Sequence, residues 1–284
     1  LEDFDGQFSD LAASAQLDVG VRQAQAGGSI KSSLANSPFG NHLSRFQNLV
    51  FAGGGNRCLW QAGFWIAASH LLDLRPARVA AVSAGSAIAC AIFSGAFDDG
   101  FSRFKQAIAR NHCNLNLSNL LRRQPIFPHG QIYRETLLGC ISELYLGRIH
   151  AGPDIKILVS RHPKWASPRL ALLIGALASG AEALQRAQVH SSMGRRFGFR
   201  PEFISACDCR TPETLADLIM ASSCTPPFTP QIRRNGLPLL DGGLIDNVPT
   251  DGVPEAEGET LILLTRQFRE LPVIPGRTYV QPSQ

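Results

Sequence analysis

Residues 79–89 read VAAVSAGSAIA, and this stretch decides the fold. An apolar run leads to Ser83, small residues follow, and the chain then becomes apolar again. The pattern predicts a buried strand at Val79–Val82, a tight turn, and a buried helix over Ser86–Phe97. The uncharged run that begins at Val79 and ends at Phe97 approaches the length of a membrane span. The Ser and Gly residues inside it favour a strand, a turn and a helix instead.

A second strand, glycine turn and helix precede this stretch. Residues 46–52 (FQNLVFA) predict a buried strand, GGGN at 53–56 a turn, and Arg57–Leu72 a helix with apolar residues on all sides. This repeated order is typical of parallel βαβ units, in which helices cover a sheet. Further strands are predicted at Ile155–Ser160, Phe203–Ala206 and Thr260–Leu264, and further helices at Gln131–Leu146, Ala171–Val189 and Thr214–Ser222. The sequence therefore predicts an α/β fold.

Composition limits the organisation and the partners of the chain. Its 284 residues are 44% hydrophobic, which provides a sizeable core for one domain over residues 46–284. Residues 1–45 predict a mobile leader. The final TYVQPSQ carries no signal that ends the fold, so truncation at the C-terminus is one of the interpretations. A net charge of +4 without a Lys/Arg run argues against a nucleic-acid partner and is compatible with an anionic membrane surface. Nothing in the sequence indicates the oligomeric state.

Seven cysteines, an odd number, are scattered mostly through apolar segments. Free buried thiols in a reducing compartment explain them best, so a cytoplasmic location is expected. Residues 1–30 also lack the basic-then-apolar pattern of a secretory signal. Cys207 and Cys209 form a CxC pair, but no second Cys or His pair follows at ligand spacing, so no zinc site is expected.

The turn AVSAG at 81–85 is similar to the G-x-S-x-G pattern that holds a nucleophilic serine between a strand and a helix, with Ala81 at the first glycine position. Such a turn pushes Ser83 out beyond the sheet, at a helix N-terminus whose dipole stabilises an alkoxide. An ordinary glycine turn between a strand and a helix is the alternative. No histidine follows residue 190, so a triad of Ser83 with Asp154 and either His162 or His190 is conceivable but has no supporting motif.

The C-terminal third offers an acid in LLDGGLIDNVP at 239–249. Asp241 lies between two leucines and two glycines, where the backbone can approach another element closely, although Asp-Gly is also a common turn. The PPFTP segment at 226–230 predicts rigid loops nearby. Asp241 is therefore a second candidate for the group that takes the proton of Ser83.

The glycine run at 53–55 follows a predicted strand and opens a helix. Successive glycines let several backbone N–H groups face one point, which suits either a phosphate or the oxyanion of a tetrahedral intermediate. The run lacks the Gly-Lys-Ser/Thr of a P-loop, and Cys58 stands at the third glycine position of the dinucleotide pattern. An oxyanion hole also explains why a serine turn follows, so the sequence favours it over nucleotide binding.

Together, GGGNRC at 53–58, AVSAG at 81–85 and LLDGGLIDNVP at 239–249 resemble the motifs of the patatin-like phospholipases, in the same order. ASSCTPPFTP at 221–230 is also similar to the family, and the resemblance runs from about residue 46 to residue 269. It implies a three-layer α/β/α sandwich with a mostly parallel central sheet. Two positions depart from the family pattern, because Ala81 and Cys58 replace glycines. Both departures leave the reacting groups in place.

The resemblance also implies a catalytic site and a reaction. Ser83 would be the nucleophile and Asp241 its base, without a histidine. Gly53, Gly54 and Gly55 would form the oxyanion hole, and Arg57 would support it. The implied enzyme is a carboxylic ester hydrolase of the phospholipase A, lysophospholipase or lipase type, which cleaves fatty-acyl ester bonds without a cofactor or metal. An acyltransferase with the same dyad and a non-catalytic lipid-binding protein on the same fold are the alternatives.

A lipid substrate implies a peripheral contact with a membrane surface. Leu170–Ala181 (LALLIGALASGA) is too short to span a bilayer, and it predicts either a mobile apolar cap over the site or a buried core helix. The arginine pairs at 195–196 and 233–234 fit either a role in binding phosphate headgroups or a place in solvated loops.

Overall fold

A computed structural model describes residues 45–111, 129–161, 189–190, 193–225, 229, 232–234, 236–254 and 258–283. The leader predicted at residues 1–45 lies outside the described residues except for Arg45. The predicted helix Ala171–Val189, except for Val189, and the apolar segment Leu170–Ala181 also lie outside them, as does PPFTP except for Thr229.

Within these residues, eight strands form a mixed sheet. They are β1 (Phe46–Phe51), β2 (Arg78–Val82), β3 (Asp154–Arg161), β4 (Arg200–Ser205), β5 (Arg233–Arg234), β6 (Leu237–Asp241), β7 (Glu259–Leu263) and β8 (Arg277–Val280). The strand order is β5-β6-β3-β2-β1-β7-β8, and β4 also pairs with β3. Neighbouring strands from β3 to β8 in this order are parallel, whereas β4 and β6 both run antiparallel to β3.

The helices of the described residues surround this sheet. They are α1 (Leu59–Ala68), α2 (Ala84–Ser94), α3 (Phe97–Arg110), α4 (His129–Cys140), α5 (Glu143–Ala151), α6 (Met193–Arg196) and α7 (Pro212–Ser222). The α/β fold class with a mostly parallel sheet is therefore confirmed. None of these helices is both long and apolar enough to cross a bilayer.

Alternate residues of the central strands pack on opposite faces of the sheet, as the two-residue period of a strand requires. Leu49 and Phe51 of β1 belong to the larger core, which also contains buried residues of α1, α2, α4, α5 and α7. Val50 of β1 belongs to a second core on the other face, together with Val248 and Phe268. The central strands are thus covered on both faces, which explains why their sequences read as continuous apolar runs.

Several predicted elements have different limits. The predicted helix Arg57–Leu72 starts as a 3₁₀ turn at Gly55–Cys58 and continues as α1. The predicted helix Gln131–Leu146 is two helices, α4 and α5, because Ser142 caps the start of α5 by accepting a hydrogen bond from the N–H of Tyr145. An N-cap serine has extended backbone geometry, which interrupts the helix.

Five elements were not predicted at all: α3, α6, β5, β6 and β8. Gly95 ends α2 in the left-handed conformation (φ 73°), so the apolar residues that follow belong to the separate helix α3. Within α3, Phe97, Phe101, Phe104 and Ile108 recur at helical spacing and were the available signal.

Strand pairing explains how residues far apart in the sequence meet. Val82 at the end of β2 pairs with Leu158 of β3, and Asp241 at the end of β6 pairs with the next residue, Val159. Leu158 and Val159 of β3 both pair with β4 as well. Because β4 occupies one edge of β3 at these two residues, β2 and β6 must both lie on the opposite edge. The two strands therefore approach each other end to end, and Ser83 lies directly beyond β2.

Gly85 provides a test of how tightly the serine turn packs on the sheet. A Cβ added at Gly85 would lie 2.5 Å from the carbonyl oxygen of Ala52 and 2.9 Å from that of Phe51. We expect Gly85→Ala to lower the free energy of unfolding by about 1–3 kcal/mol, because the strand backbone cannot move away cheaply. Gly147→Ala in α5 is the control, since a Cβ there meets nothing within 4 Å. Urea unfolding measures both, and equal stabilities would contradict the close packing.

Candidate active site

The backbone of Ser83 is held in an uncommon conformation. Its φ of 54° and ψ of −137° are unfavourable for a residue other than glycine. Its N–H donates to Ser222 Oγ at 2.8 Å, and its carbonyl oxygen accepts from the N–H of Ser86 at 2.9 Å and from the Ser86 hydroxyl. These contacts hold the side chain of Ser83 at the N-terminus of α2, beyond the end of β2.

Ser222 connects this turn to the sheet. Its hydroxyl donates to the carbonyl oxygen of Leu158 at 2.7 Å while it accepts from the N–H of Ser83. Ser222 is fully buried at the end of α7, so a single side chain ties α7, β3 and the serine turn together. Sequence reasoning missed this residue, since a serine at the end of a helix carries no specific signal.

Ser83 and Asp241 are in direct contact. Ser83 Oγ donates a hydrogen bond of 3.0 Å to Asp241 Oδ2, and the two residues are 158 positions apart. The second carboxylate oxygen, Oδ1, accepts the N–H of Gly243 at 2.7 Å. Both oxygens of the carboxylate are thus engaged, and the one that faces Ser83 is oriented by the turn that follows Asp241.

Burial changes the acidity of this carboxyl group. Asp241 is 9% exposed, and desolvation raises its pKa to about 6, against the opposing effect of the hydrogen bonds from Gly243 and Ser83. A carboxylate with a raised pKa is a stronger base than an exposed one. The geometry and the acidity of Asp241 therefore suit it to accept the proton of Ser83.

The glycine after Asp241 is required by close packing. A Cβ added at Gly242 would lie 2.3 Å from the carbonyl oxygen of Leu158. Any larger residue would push the turn away from β3 and would move Asp241 with it. This contact is the physical reason for the Asp-Gly-Gly pattern in the sequence.

The glycine loop is anchored to the loop that follows Asp241. The N–H of Gly53 donates to the carbonyl oxygen of Asn247 at 3.0 Å, and the carbonyl oxygen of Gly53 accepts from Asn247 Nδ2 at 2.8 Å. The same carbonyl oxygen accepts from the hydroxyl of Thr265 at 2.6 Å. Because the C=O and N–H of one trans peptide point in opposite directions, the N–H of Gly54 points away from Asn247 and Thr265.

The predicted oxyanion-hole residues differ in whether their N–H groups are already bonded and in whether they line the cavity at Ser83. The N–H of Gly53 is already bonded to Asn247. Among the described residues, no protein acceptor bonds to the N–H of Gly54 or of Gly55. Gly55 (φ 60°) lines the same cavity as Ser83 and Asp241, whereas Arg57 is exposed and does not line it.

Asn247 and Thr265 were not predicted as site residues. Asn247 lies in the DNVP segment of the LLDGGLIDNVP motif, so its place in that motif could have indicated a role in the site. Thr265 directly follows the predicted strand Thr260–Leu264, and no motif marks it. A Cβ added at Gly54 would lie 2.4 Å from Thr265 Oγ1, so the contact also explains the second glycine.

Neither His150 nor His190 offers a base for Ser83. His190 contacts Asp246 and Tyr279, at 3.4 Å and 3.1 Å, and His150 contacts the carbonyl oxygen of Cys209 at 2.9 Å. Neither lines the cavity at Ser83. Asp154 accepts the hydroxyl of Ser205 at 2.7 Å, away from Ser83. His162 lies outside the described residues.

A cavity of about 600 Å³ opens beside the Ser83–Asp241 pair. Its walls come mainly from one face each of α2, α3 and α4. The residues of those faces are largely apolar and include Ala84, Ala87, Ile88, Ala91, Phe97, Phe101, Phe104, Ile108, Ile132 and Leu137. The hydroxyl groups of Tyr133 and Ser223 lie 3.5 Å apart at this cavity, and burial raises the pKa of Tyr133.

Cys58, at a position where the resemblance expects glycine, is buried in the 3₁₀ turn that leads into α1. Its Sγ lies 3.5 Å from the carbonyl oxygen of Ala52, and burial raises its pKa to about 12. The thiol is therefore protonated at neutral pH and packs as a small apolar side chain. In the described part of the chain, no three His, Cys, Asp or Glu side chains lie close enough to share a metal ion.

One of two comparisons with known proteins finds a match. A family model described as patatin-like phospholipase matches residues 49–253. A search of curated proteins finds no match. The matched region covers more than half of the chain and contains the glycine loop, the Ser83 turn and Asp241. The chain therefore belongs to the patatin-like phospholipase family.

Proposed function

We propose that this protein is a serine lipid acyl hydrolase, which cleaves fatty-acyl ester bonds of phospholipids or related lipids. The observation that carries this proposal is the 3.0 Å hydrogen bond from Ser83 Oγ to a buried Asp241, at one end of an apolar cavity. Membership of the family supports lipid acyl hydrolysis in general terms. We further propose that the protein acts in the cytoplasm and contacts membranes peripherally.

The first step is attack by Ser83 on the ester carbonyl carbon. A serine hydroxyl is a weak nucleophile until a base takes its proton. Ionised Asp241 accepts this proton through Oδ2, while the N–H of Gly243 holds Oδ1. A bond forms between Ser83 Oγ and the carbonyl carbon, and the carbonyl oxygen becomes an oxyanion.

Backbone N–H groups then stabilise the oxyanion. The N–H groups of Gly54 and Gly55 carry no protein acceptor among the described residues, and the N-terminus of α2 adds its dipole. Collapse of the intermediate breaks the ester C–O bond, and the leaving alcohol takes the proton from Asp241. Water repeats the sequence on the acyl-serine, transfers its proton through Asp241 back to Ser83 Oγ, and releases the fatty acid.

The cavity suits the apolar part of such a substrate. Most of its walls are alanine, isoleucine, leucine and phenylalanine side chains, so an acyl chain would leave water for an apolar surface. Each of the steps above uses groups of the protein and water. Release of the acyl group to another alcohol would use the same dyad, and product identification separates transfer from hydrolysis.

Substitution of the dyad tests the proposed reaction. We expect Ser83→Ala and Asp241→Asn to lower kcat/KM for ester hydrolysis by about 1,000-fold or more, because each removes a group that acts in every turnover. Hydrolysis of 4-nitrophenyl butyrate and of phosphatidylcholine vesicles, with products identified by mass, measures this. Ser142→Ala, at the exposed cap of α5, is the control and should retain wild-type activity. Full activity in Asp241→Asn would contradict the dyad.

The raised pKa of Asp241 predicts the acid limb of the pH profile. Asp241 must be ionised to accept a proton, so kcat/KM should fall about tenfold for each pH unit below a pKa of about 6 and be constant well above it. Initial rates with 4-nitrophenyl butyrate at constant ionic strength measure the profile. His190→Gln is the control, since His190 contacts Asp246 rather than the dyad. Loss of the acid limb in His190→Gln would contradict the assignment to Asp241.

The anchor of the glycine loop predicts a positioning role for Asn247. Asn247→Ala removes the Nδ2 bond to the carbonyl oxygen of Gly53 and lets the Gly53–Gly54 peptide rotate. We expect kcat to fall about 10- to 100-fold with little change in KM, less than the loss of about 100- to 1,000-fold typical when a hole donor is removed. Thr265→Ser keeps the second hydroxyl bond and serves as the control. A change confined to KM would contradict this role.

A further inference from the structure

The cavity extends along the whole of α2, away from the dyad. Its lining residues on α2 begin at Ala84, recur on one face of the helix and end at Ser94. At 1.5 Å per residue, these ten steps correspond to about 15 Å. The cavity therefore has a near end at Ser83 and a remote end at Ser94.

The opposite wall is formed by α3 and α4. Phe97, Phe101, Phe104 and Ile108 form one apolar face of α3 towards the cavity, and the rings of Phe97 and Phe101 stack with centroids 5.8 Å apart. No residue of α3 is buried. An apolar helix face that lines a cavity without being buried leaves surface that an apolar ligand would cover.

Polarity divides the cavity along its length. Asn56, Tyr133 and Ser223 line it together with the dyad. The hydroxyl of Tyr133 lies 3.5 Å from that of Ser223, which directly follows the Ser222 that bonds to Ser83. The remote end is lined by Ala96, Phe97, Gly100, Cys140 and Ile141 next to Ser94. An ester group at the near end and a hydrocarbon tail at the remote end match this distribution.

The remote end is narrowed by a contact between α3 and α4. A Cβ added at Gly100 would lie 3.3 Å from Cys140 Sγ, which is tighter than an ordinary van der Waals contact. Both residues line the cavity. A side chain larger than glycine at position 100 would therefore occupy space at the remote end.

We propose that this cavity holds a single unbranched acyl chain of about 12 carbons, and that Gly100 and Cys140 set the chain length at its remote end. An extended alkyl chain advances about 1.3 Å per carbon, given C–C bonds of about 1.5 Å, so about 12 carbons span the length of α2. With a methylene group taken as about the size of a water molecule, about 30 Å³, one such chain fits and two exceed the cavity. This proposal rests on the proposed function, because it assigns the tail of the same substrate.

Binding of fatty acids to Ser83→Ala tests the proposal independently of turnover. Saturated fatty acids of 6 to 16 carbons compete with a fluorescent fatty acid for the cavity. Affinity should rise by about fourfold per added methylene, up to about 12 carbons, and then stop rising. An affinity that does not depend on chain length would overturn the proposal.

Gly100→Leu, added to Ser83→Ala, identifies the residues that set this limit. The limit should move to a chain about three carbons shorter, since the added side chain fills the remote end. Gly147→Leu is the matched control, a helical glycine on α5 that does not line the cavity and whose Cβ meets nothing within 4 Å. Equal chain-length limits in the two variants would overturn the role of Gly100.

Two further measurements keep the proposal testable if Gly100→Leu fails to fold. Phe97→Ala enlarges the remote end and should move the limit to longer chains, and an unchanged limit would overturn the proposal. In the active protein, the kcat/KM profile with 4-nitrophenyl esters of 4 to 16 carbons should follow the binding profile. Length-dependent binding without hydrolysis would refute the proposed function alone, whereas hydrolysis with a flat chain-length profile would refute this inference alone.

Discussion

The end-to-end approach of β2 and β6 along one edge of β3 is the constraint on which the site depends. Because Val82 and Asp241 pair with consecutive residues of β3, the residue after β2 and the last residue of β6 must lie next to each other. This alignment brings two side chains that are 158 positions apart within 3.0 Å of each other. The sheet itself sets the distance between the proposed nucleophile and its proposed base.

Small residues at three places allow this approach. Gly85 lets α2 start against the carbonyl oxygens at the end of β1 and just beyond it, Gly242 lets the turn after Asp241 lie against Leu158, and Gly53 fits beside Asn247. Each of these contacts involves backbone or a fixed polar atom that a larger residue would displace. These three glycines, one from each motif, are therefore packing requirements of one site, and Asn247 couples two of the motifs directly through Gly53.

Much of this arrangement could be predicted from the sequence, and the predictions that failed did so for physical reasons. The strands around Ser83 were found because buried parallel strands read as continuous apolar runs, and α2 because small residues lead directly into it. Helix α3 was missed because Gly95 separates it from an equally apolar helix, and β6 because LPLLD is short and contains a proline. Sequence motifs named Ser83 and Asp241, but nothing local marks Ser222 or Thr265, whose roles depend on contacts across the sheet. The cavity was also unpredicted, since it arises from how three helices pack rather than from any one of them.

The buried carboxylate links the proposed catalysis to the thermodynamics of folding. In the unfolded chain an aspartate titrates near 3.9, whereas in the folded protein Asp241 holds its proton up to a pKa of about 6. The folded state therefore binds this proton more tightly, and the contribution of Asp241 to stability declines as the pH rises from about 4 to about 6, by about 3 kcal/mol in all. At neutral pH, Asp241 is ionised although it is buried, so the folded protein carries the desolvation cost of this charge. Protonation of Asp241 favours the folded state but removes the proposed base, so the pH range in which this group stabilises the fold differs from the range in which it would support turnover.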